Sequence, residues 1–169
     1  EQGHVRAQSD LGAMYAEGKG VSQDYTQAVS WFLKAAKRGD AYAQYNLALI
    51  YEEGQEGVPQ DYVQAVNWYR RAAELGDADA QGRLAYMYVM GQGLPQDYAQ
   101  AFNWYRKAAE QGDARAQFML GAMYEDGRGV PQDYAQAINW YTRAAEQGNA
   151  SAQATLGFMY YHGEGVPQD

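Results

Sequence analysis

The sequence predicts an all-α solenoid built from helix-turn-helix repeats of about 36 residues. One observation is a ladder of tryptophans spaced 37, 36 and 36 residues apart, at Trp31, Trp68, Trp104 and Trp140. A second is a ladder of glutamines with the same period, at Gln8, Gln44, Gln81, Gln117 and Gln153. A third is that the same helix start and stop signals recur in every unit. Self-similarity at a period between about 20 and 50 residues is the sequence signature of repeat architectures.

The first helix of each unit is predicted from repeat two, where it covers about residues 41 to 53. It carries Ala43, Leu47, Ala48 and Tyr51, and equivalents of these residues return in the other units. Small side chains at such positions allow two paired helices to approach each other closely. We therefore expect this helix to pack tightly against the one that follows it.

The second helix of each unit is predicted from its caps and its apolar stripe. It starts at an aspartate followed three residues later by glutamine, the arrangement of a capping box. It ends at a glycine, where a left-handed conformation can close a helix, and the next residue caps the following helix. The starts are Asp24, Asp61, Asp97 and Asp133, the ends are Gly39, Gly76, Gly112 and Gly148, and the next caps are Asp40, Asp77, Asp113 and Asn149.

The loops between the two helices carry a Gly-x-Gly signature that begins at Gly18, Gly91, Gly127 and Gly163. Repeat two has one extra residue, in the segment from Gly54 to Gly57, and insertions belong in loops. Helix N-termini bind anions, so a glycine-rich loop before a helix is also a candidate phosphate site. We interpret these loops as turns instead, because each leads into an aspartate cap whose charge would repel phosphate.

A pair of short helices cannot bury its apolar faces alone, so consecutive pairs must stack into a superhelix. The predicted array has residues 1–3 as the end of a preceding repeat, then repeats 4–40, 41–77, 78–113 and 114–149, and 150–169 as the first half of a fifth repeat. Neither end resembles a polar capping repeat, so we expect a fragment of a longer array. The alternative is that a neighbouring copy covers the last helix through contact between array ends.

Three motifs that recur along the chain resemble those of the Sel-one-like repeat (SLR) family. They are A-x-A-Q-x-x-L-G-x-M-Y, G-x-G-V-P-Q-D-Y-x-Q-A and W-Y-x-K-A-A-E-Q-G-D, and the best copy runs from Ala114 to Asn149. Departures are Ser22, Leu94 and the insertion at Gln55 to Glu56. The resemblance implies a right-handed, tetratricopeptide-like superhelix that acts as an adaptor or scaffold. It also implies a bacterial, periplasmic or secreted setting, although this chain carries no signal peptide.

Charge and composition limit the kinds of partner. A net charge of -8, from 13 basic and 21 acidic residues, disfavours binding to nucleic acid and to anionic lipid. Cysteine is absent, and no apolar run approaches the length of a membrane span. We expect protein or peptide partners, no nucleic acid and no membrane insertion.

The sequence gives little support to enzyme chemistry. The two histidines, His4 and His162, lie at opposite ends of the chain, so no histidine pair is placed to share a metal. Recurring acidic residues are explained by caps and by solvated surface. A carboxylate site built from Glu52, Glu125 and Asp126 is the alternative. The prediction is no catalytic residue, no metal and no cofactor.

Positions that vary between repeats predict where a partner binds, because positions fixed in every repeat are most simply explained by packing. The variable positions of the first helices describe one helix face, which in tetratricopeptide-like solenoids lines the concave side. We call the predicted partner-binding set the variable face: Tyr42, Tyr45, Asn46, Leu49, Arg83, Tyr86, Met90, Arg115, Phe118, Met119 and Phe158. The alternative is that some of its aromatics, such as Tyr86 and Phe158, pack between adjacent first helices.

The second helices are predicted to face the core and the solvent rather than a partner. Their Trp and Tyr residues recur in one register and are interpreted as core. Their basic row, Lys34, Arg71, Lys107 and Arg143, is interpreted as a solvated face. The predicted function is a non-catalytic scaffold that binds a protein or peptide on its concave face. The alternative is a structural, self-assembling segment of a longer scaffold.

Overall fold

The computed structural model describes the backbone of residues 2–163 and 165 and the side chains of residues 4–163 and 165. The chain separates into two compact units, Glu1–Ala80 with Gln92–Pro95, and Gln81–Gly91 with Gln96–Asp169. The described residues form nine helices: α1 Gln2–Glu17, α2 Tyr25–Ala36, α3 Ala41–Glu53, α4 Tyr62–Glu74, α5 Ala78–Met90, α6 Tyr98–Glu110, α7 Ala114–Asp126, α8 Tyr134–Glu146 and α9 Ala150–His162.

The predicted all-α repeat fold is confirmed. Within the described range no strand forms, and a single isolated bridge joins Gln55 to Val58 inside the loop that carries the insertion. Consecutive helices pack on one another, α1 to α4 in the first unit and α6 to α9 in the second. Each helix pair is therefore one repeat, and its neighbours cover the faces that it cannot bury alone.

The predicted caps form, but only half of the capping box does. At each second helix the aspartate Oδ1 accepts from the amide of the glutamine three residues on, at 3.0 Å in the case of Asp61 and Gln64. The cap's own N–H does not bond to that glutamine side chain. It donates to a carbonyl of the preceding helix, as Asp61 does to Tyr51 at 2.8 Å. The N–H of the cap is thus satisfied by the preceding helix instead of by the glutamine side chain of the capping box.

The predicted glycine stops are confirmed by backbone geometry. Gly76 has φ 95°, and the next residue, Asp77, donates its N–H to the carbonyl of Ala72 at 3.2 Å. This bond back across the last turn satisfies a carbonyl that the helix end would otherwise leave unpaired. Asp77 then caps α5 by accepting from the amide of Ala80 at 2.8 Å. One short connection therefore closes one helix and opens the next.

The start of the chain differs from the sequence-based boundary. Residues 2–3 belong to the first turn of α1, whereas the repeat comparison assigns them to the end of a preceding helix. The physical reason lies at His4, which occupies the position of the caps Asp40 and Asp77. Histidine is not a preferred N-cap residue, so nothing there forces the helix to begin later. The expectations for Glu1 and for residues 166–169 lie outside the described residues.

A large ring follows each tryptophan and forms the centre of each repeat. These rings are Phe32, Tyr69, Tyr105 and Tyr141, none of which is more than 3% exposed. The first helix faces them with alanine or glycine, as expected. A Cβ placed on Gly12 would lie 2.6 Å from Phe32 Cδ1, and one on Gly121 would lie 2.7 Å from Tyr141 Cδ1. These small residues leave the space that the rings fill.

The glycine loops are shaped by close packing and by a glutamine that precedes each aspartate cap. A Cβ on Gly93 would collide with the carbonyl oxygen of Tyr62, so only glycine fits at that approach. Gln96 Nε2 donates to the carbonyl of Val89 at 2.6 Å and to Tyr98 Oη at 3.1 Å. The same pair of bonds forms at Gln23, Gln60 and Gln132. The loops are structural turns, in agreement with the sequence-based interpretation.

The glutamine ladder links neighbouring repeats through buried hydrogen bonds. Gln117 Nε2 donates to the carbonyl of Ala109 at 3.1 Å, and its Oε1 accepts from Gln147 Nε2 at 2.7 Å. Gln44 makes the first bond, to Ala36, but among the described residues its buried Oε1 has no donor. The residue equivalent to Gln147 in that repeat is Leu75, which cannot donate from its side chain and is 57% exposed.

Leu75→Gln should stabilise the first unit, because it supplies the donor that Gln44 Oε1 lacks. We expect the free energy of unfolding in urea to rise by about 1 kcal/mol, the net worth of one buried hydrogen bond. The matched control is Gln111→Leu, which removes the bond of 2.8 Å from Gln111 to Gln81 and should cost a similar amount. Equal effects of the same sign from both changes would contradict this account.

Candidate partner-binding face

Five members of the variable face are exposed side chains on first helices. Tyr42 on α3 is 51% exposed, and on α5 Tyr86 and Met90 are 39% and 51% exposed. Arg115 on α7 is exposed, and Phe158 on α9 is 55% exposed. Aromatic residues, Met and Arg are enriched at protein interfaces. These five residues give the first helices an accessible surface of that composition.

The other six members are half-buried, and two of them pack on the central rings. Tyr45 lies against Tyr69 with ring centroids 5.7 Å apart, and Phe118 lies against Tyr141 at 5.4 Å. Both contacts are made with the second helix of the same repeat, whereas Tyr86 and Phe158, the examples raised from sequence as packing between adjacent first helices, stay exposed. The remaining half-buried members are Asn46, Leu49, Arg83 and Met119.

Two of those remaining members also have structural contacts. Asn46 Nδ2 donates to the carbonyl of Tyr42 at 2.8 Å, one turn earlier on α3. Met119 packs against the core cluster that contains Leu120 and Met123. A substitution at these positions would therefore change packing as well as surface. Among aromatics, Tyr86 and Phe158 are the cleaner probes of binding, because Tyr42 also packs edge-on against Phe32.

The basic row of the second helices is not simply solvated. Each cation lies over the tryptophan three residues before it, with Lys34 Nζ 3.7 Å from the Trp31 ring centroid and Arg71 Cζ 4.9 Å from that of Trp68. Lys107 and Arg143 do the same over Trp104 and Trp140. Sequence analysis missed this contact, although the spacing of i to i+3 places both side chains on one helix face.

The tryptophans are correspondingly less buried than the sequence suggested. Trp68 is 9% exposed, but Trp31, Trp104 and Trp140 are only half-buried. Trp104 and Trp140 still pack against the core cluster that contains Phe102 and Leu120, so the core interpretation holds for one side of these rings only. Their outer side is available to the cation of the same helix, and the fully buried ring is the one that follows each tryptophan.

Two of the carboxylates considered for a catalytic site bind buried tyrosine hydroxyls. Tyr69 Oη donates to Glu52 Oε2 at 2.5 Å, and Tyr141 Oη donates to Glu125 Oε2 at 2.5 Å. Burial, with the hydrogen bond to Glu125, raises the pKa of Tyr141 well above its ordinary value. Asp126 forms an ion pair with Arg128 at 3.1 Å. These acids have partners within their own repeats and do not converge on a common point.

The last helix, α9, exposes aromatic residues that the sequence analysis left out of the variable face. Tyr160 is 59% exposed and Tyr161 is 85% exposed. A Cβ on Gly157 would have no neighbour within 4 Å, whereas its equivalent Gly121 lies against Tyr141.

Other kinds of site find no support in the described residues. In that part of the chain no three His, Asp or Glu side chains cluster as metal ligands. None of the helices in residues 2–163 has both the length and the apolar character that a membrane span requires.

Comparison with known proteins identifies the family. The sequence profile described as the Sel1 repeat matches residues 5–40, 41–77, 78–113, 114–149 and 150–169. The chain belongs to the Sel1 repeat family. Sel1 repeat proteins generally act as non-catalytic scaffolds for protein interactions, so this family membership favours protein partners.

Solved structures agree with this membership. A protective antigen present in uropathogenic Escherichia coli strains matches with a TM-score of 0.95 and 44% identity over 99% of this Sel1 repeat chain. A Sel1 repeat protein from Oxalobacter formigenes matches with a TM-score of 0.94 and 42% identity over 99% of it. The chain covers 36% of the antigen and 69% of the Oxalobacter protein.

A more distant structure shares the fold alone. The cysteine-rich protein B of Helicobacter pylori matches with a TM-score of 0.62 and 22% identity, over 79% of this Sel1 repeat chain and 96% of its own. The bacterial origin of these relatives agrees with the bacterial source that the sequence motifs implied.

Two tyrosine substitutions in the second unit should differ in their effect on stability. Tyr141→Phe removes the hydroxyl that donates to Glu125 and should lower the free energy of unfolding by about 1.5 to 3 kcal/mol, as expected for a bond to a charged group. Tyr105→Phe should cost less than about 0.5 kcal/mol, because none of the hydrogen bonds formed by the described residues involves that hydroxyl. Urea denaturation of both variants measures the difference, and equal losses would refute it.

Proposed function

We propose that this chain is a non-catalytic scaffold that holds a partner protein or peptide on the variable face of its first helices. That face is the concave one in tetratricopeptide-like superhelices. The observation that carries the proposal is that large apolar side chains stay exposed at positions that differ from repeat to repeat. Residues that are needed for packing recur in every repeat. Residues that recognise an asymmetric partner can differ between repeats.

Two further observations support binding rather than reaction on this face. Tyr86 and Phe158 offer exposed aromatic area, and Tyr42 is 51% exposed although its ring also packs edge-on against the buried Phe32, with centroids 6.3 Å apart. Aromatic and arginine side chains carry most of the binding energy in protein interfaces. The carboxylates of Glu52 and Glu125 already accept hydrogen bonds from tyrosines of their own repeats, so they are not placed to transfer protons to a substrate.

The test needs a partner, which can be captured from the source organism by affinity chromatography and identified by mass spectrometry. That partner is then titrated against the variants. Tyr42→Ala, Tyr86→Ala and Phe158→Ala should each weaken its binding by about 2 kcal/mol, roughly 30-fold. Isothermal titration measures the affinity, and circular dichroism checks that each variant stays folded. We expect the smallest loss of stability from Phe158→Ala, because Phe158 is 55% exposed, and a larger loss from Tyr42→Ala, because Tyr42 contacts the buried ring of Phe32.

The matched controls lie on the second helices. Val63 is 56% exposed and Tyr134 is 38% exposed, so Val63→Ala and Tyr134→Ala remove accessible apolar surface elsewhere. Lys34, Arg71 and Arg143 test the basic row, where a change in affinity below about threefold is expected. Large losses from these controls, with none from the variable face, would place the interface on the second helices and reject the proposal.

A second candidate function is a structural segment that assembles with copies of itself. The observation that favours it is the uncovered face of α9, with Gly157, Tyr160 and Tyr161 open to solvent. Exposed aromatic side chains on one helix favour contact with another protein surface. Assembly through such a face must depend on protein concentration.

Light scattering over a range of protein concentrations distinguishes the two candidates. For the scaffold we expect a constant monomer mass, and for self-assembly a mass that rises with concentration. Tyr161→Ser is the matched variant, since it removes the most exposed ring on α9 and should abolish such a rise. A rise that this variant leaves unchanged would place the self-contact elsewhere.

A further inference from the structure

We draw no further inference here: the strongest candidate, the cleft of about 380 Å³ between the insertion loop at Glu56 and the start of α2 at Asp24, is lined by two carboxylates beside a helix N-terminus, and nothing in the structure shows what occupies it.

Discussion

The packing of one large ring per repeat against small residues of the first helix is the contact on which the rest of the molecule depends. Phe32, Tyr69, Tyr105 and Tyr141 are almost completely buried, and Gly12 and Gly121 show how little space remains beside two of them. Because helices this short cannot bury such rings alone, each repeat requires its neighbour, and stability is distributed along the chain. The surface left over on the first helices is consequently free to vary without loss of fold.

Polar contacts fix the register between these packed pairs. The glutamine ladder and the glutamines before each cap bond to backbone carbonyls that helix ends would otherwise leave unpaired. Where a repeat lacks one of these glutamines, a hydrogen bond is missing. In repeat two Leu75 takes the place of the donor glutamine, and Gln44 Oε1 has no donor among the described residues. Repeat proteins thus provide internal controls, since the same contact can be compared with and without one of its members.

The same comparison separates structure from recognition. Tyr45 and Phe118 occupy variable positions yet complete the core, whereas Tyr86 and Phe158 remain accessible. Repeat three has neither the covering ring nor the carboxylate, since Gly82 and Val89 occupy those positions. Membership of the Sel1 repeat family indicates a scaffold for protein interactions.

The sequence by itself determined the repeat period, the helix positions, most caps and the family, because these depend on local spacing and on a unit copied several times. It could not determine which variable aromatics pack, since Tyr45 and Tyr86 differ by contacts between helices rather than by local pattern. Nor did it place each cation over its tryptophan, or show that Glu52 and Glu125 accept from buried tyrosines. Those outcomes were decided only in the tertiary structure, where the distance between side chains on different helices determines whether a polar group is paired, covered or left open.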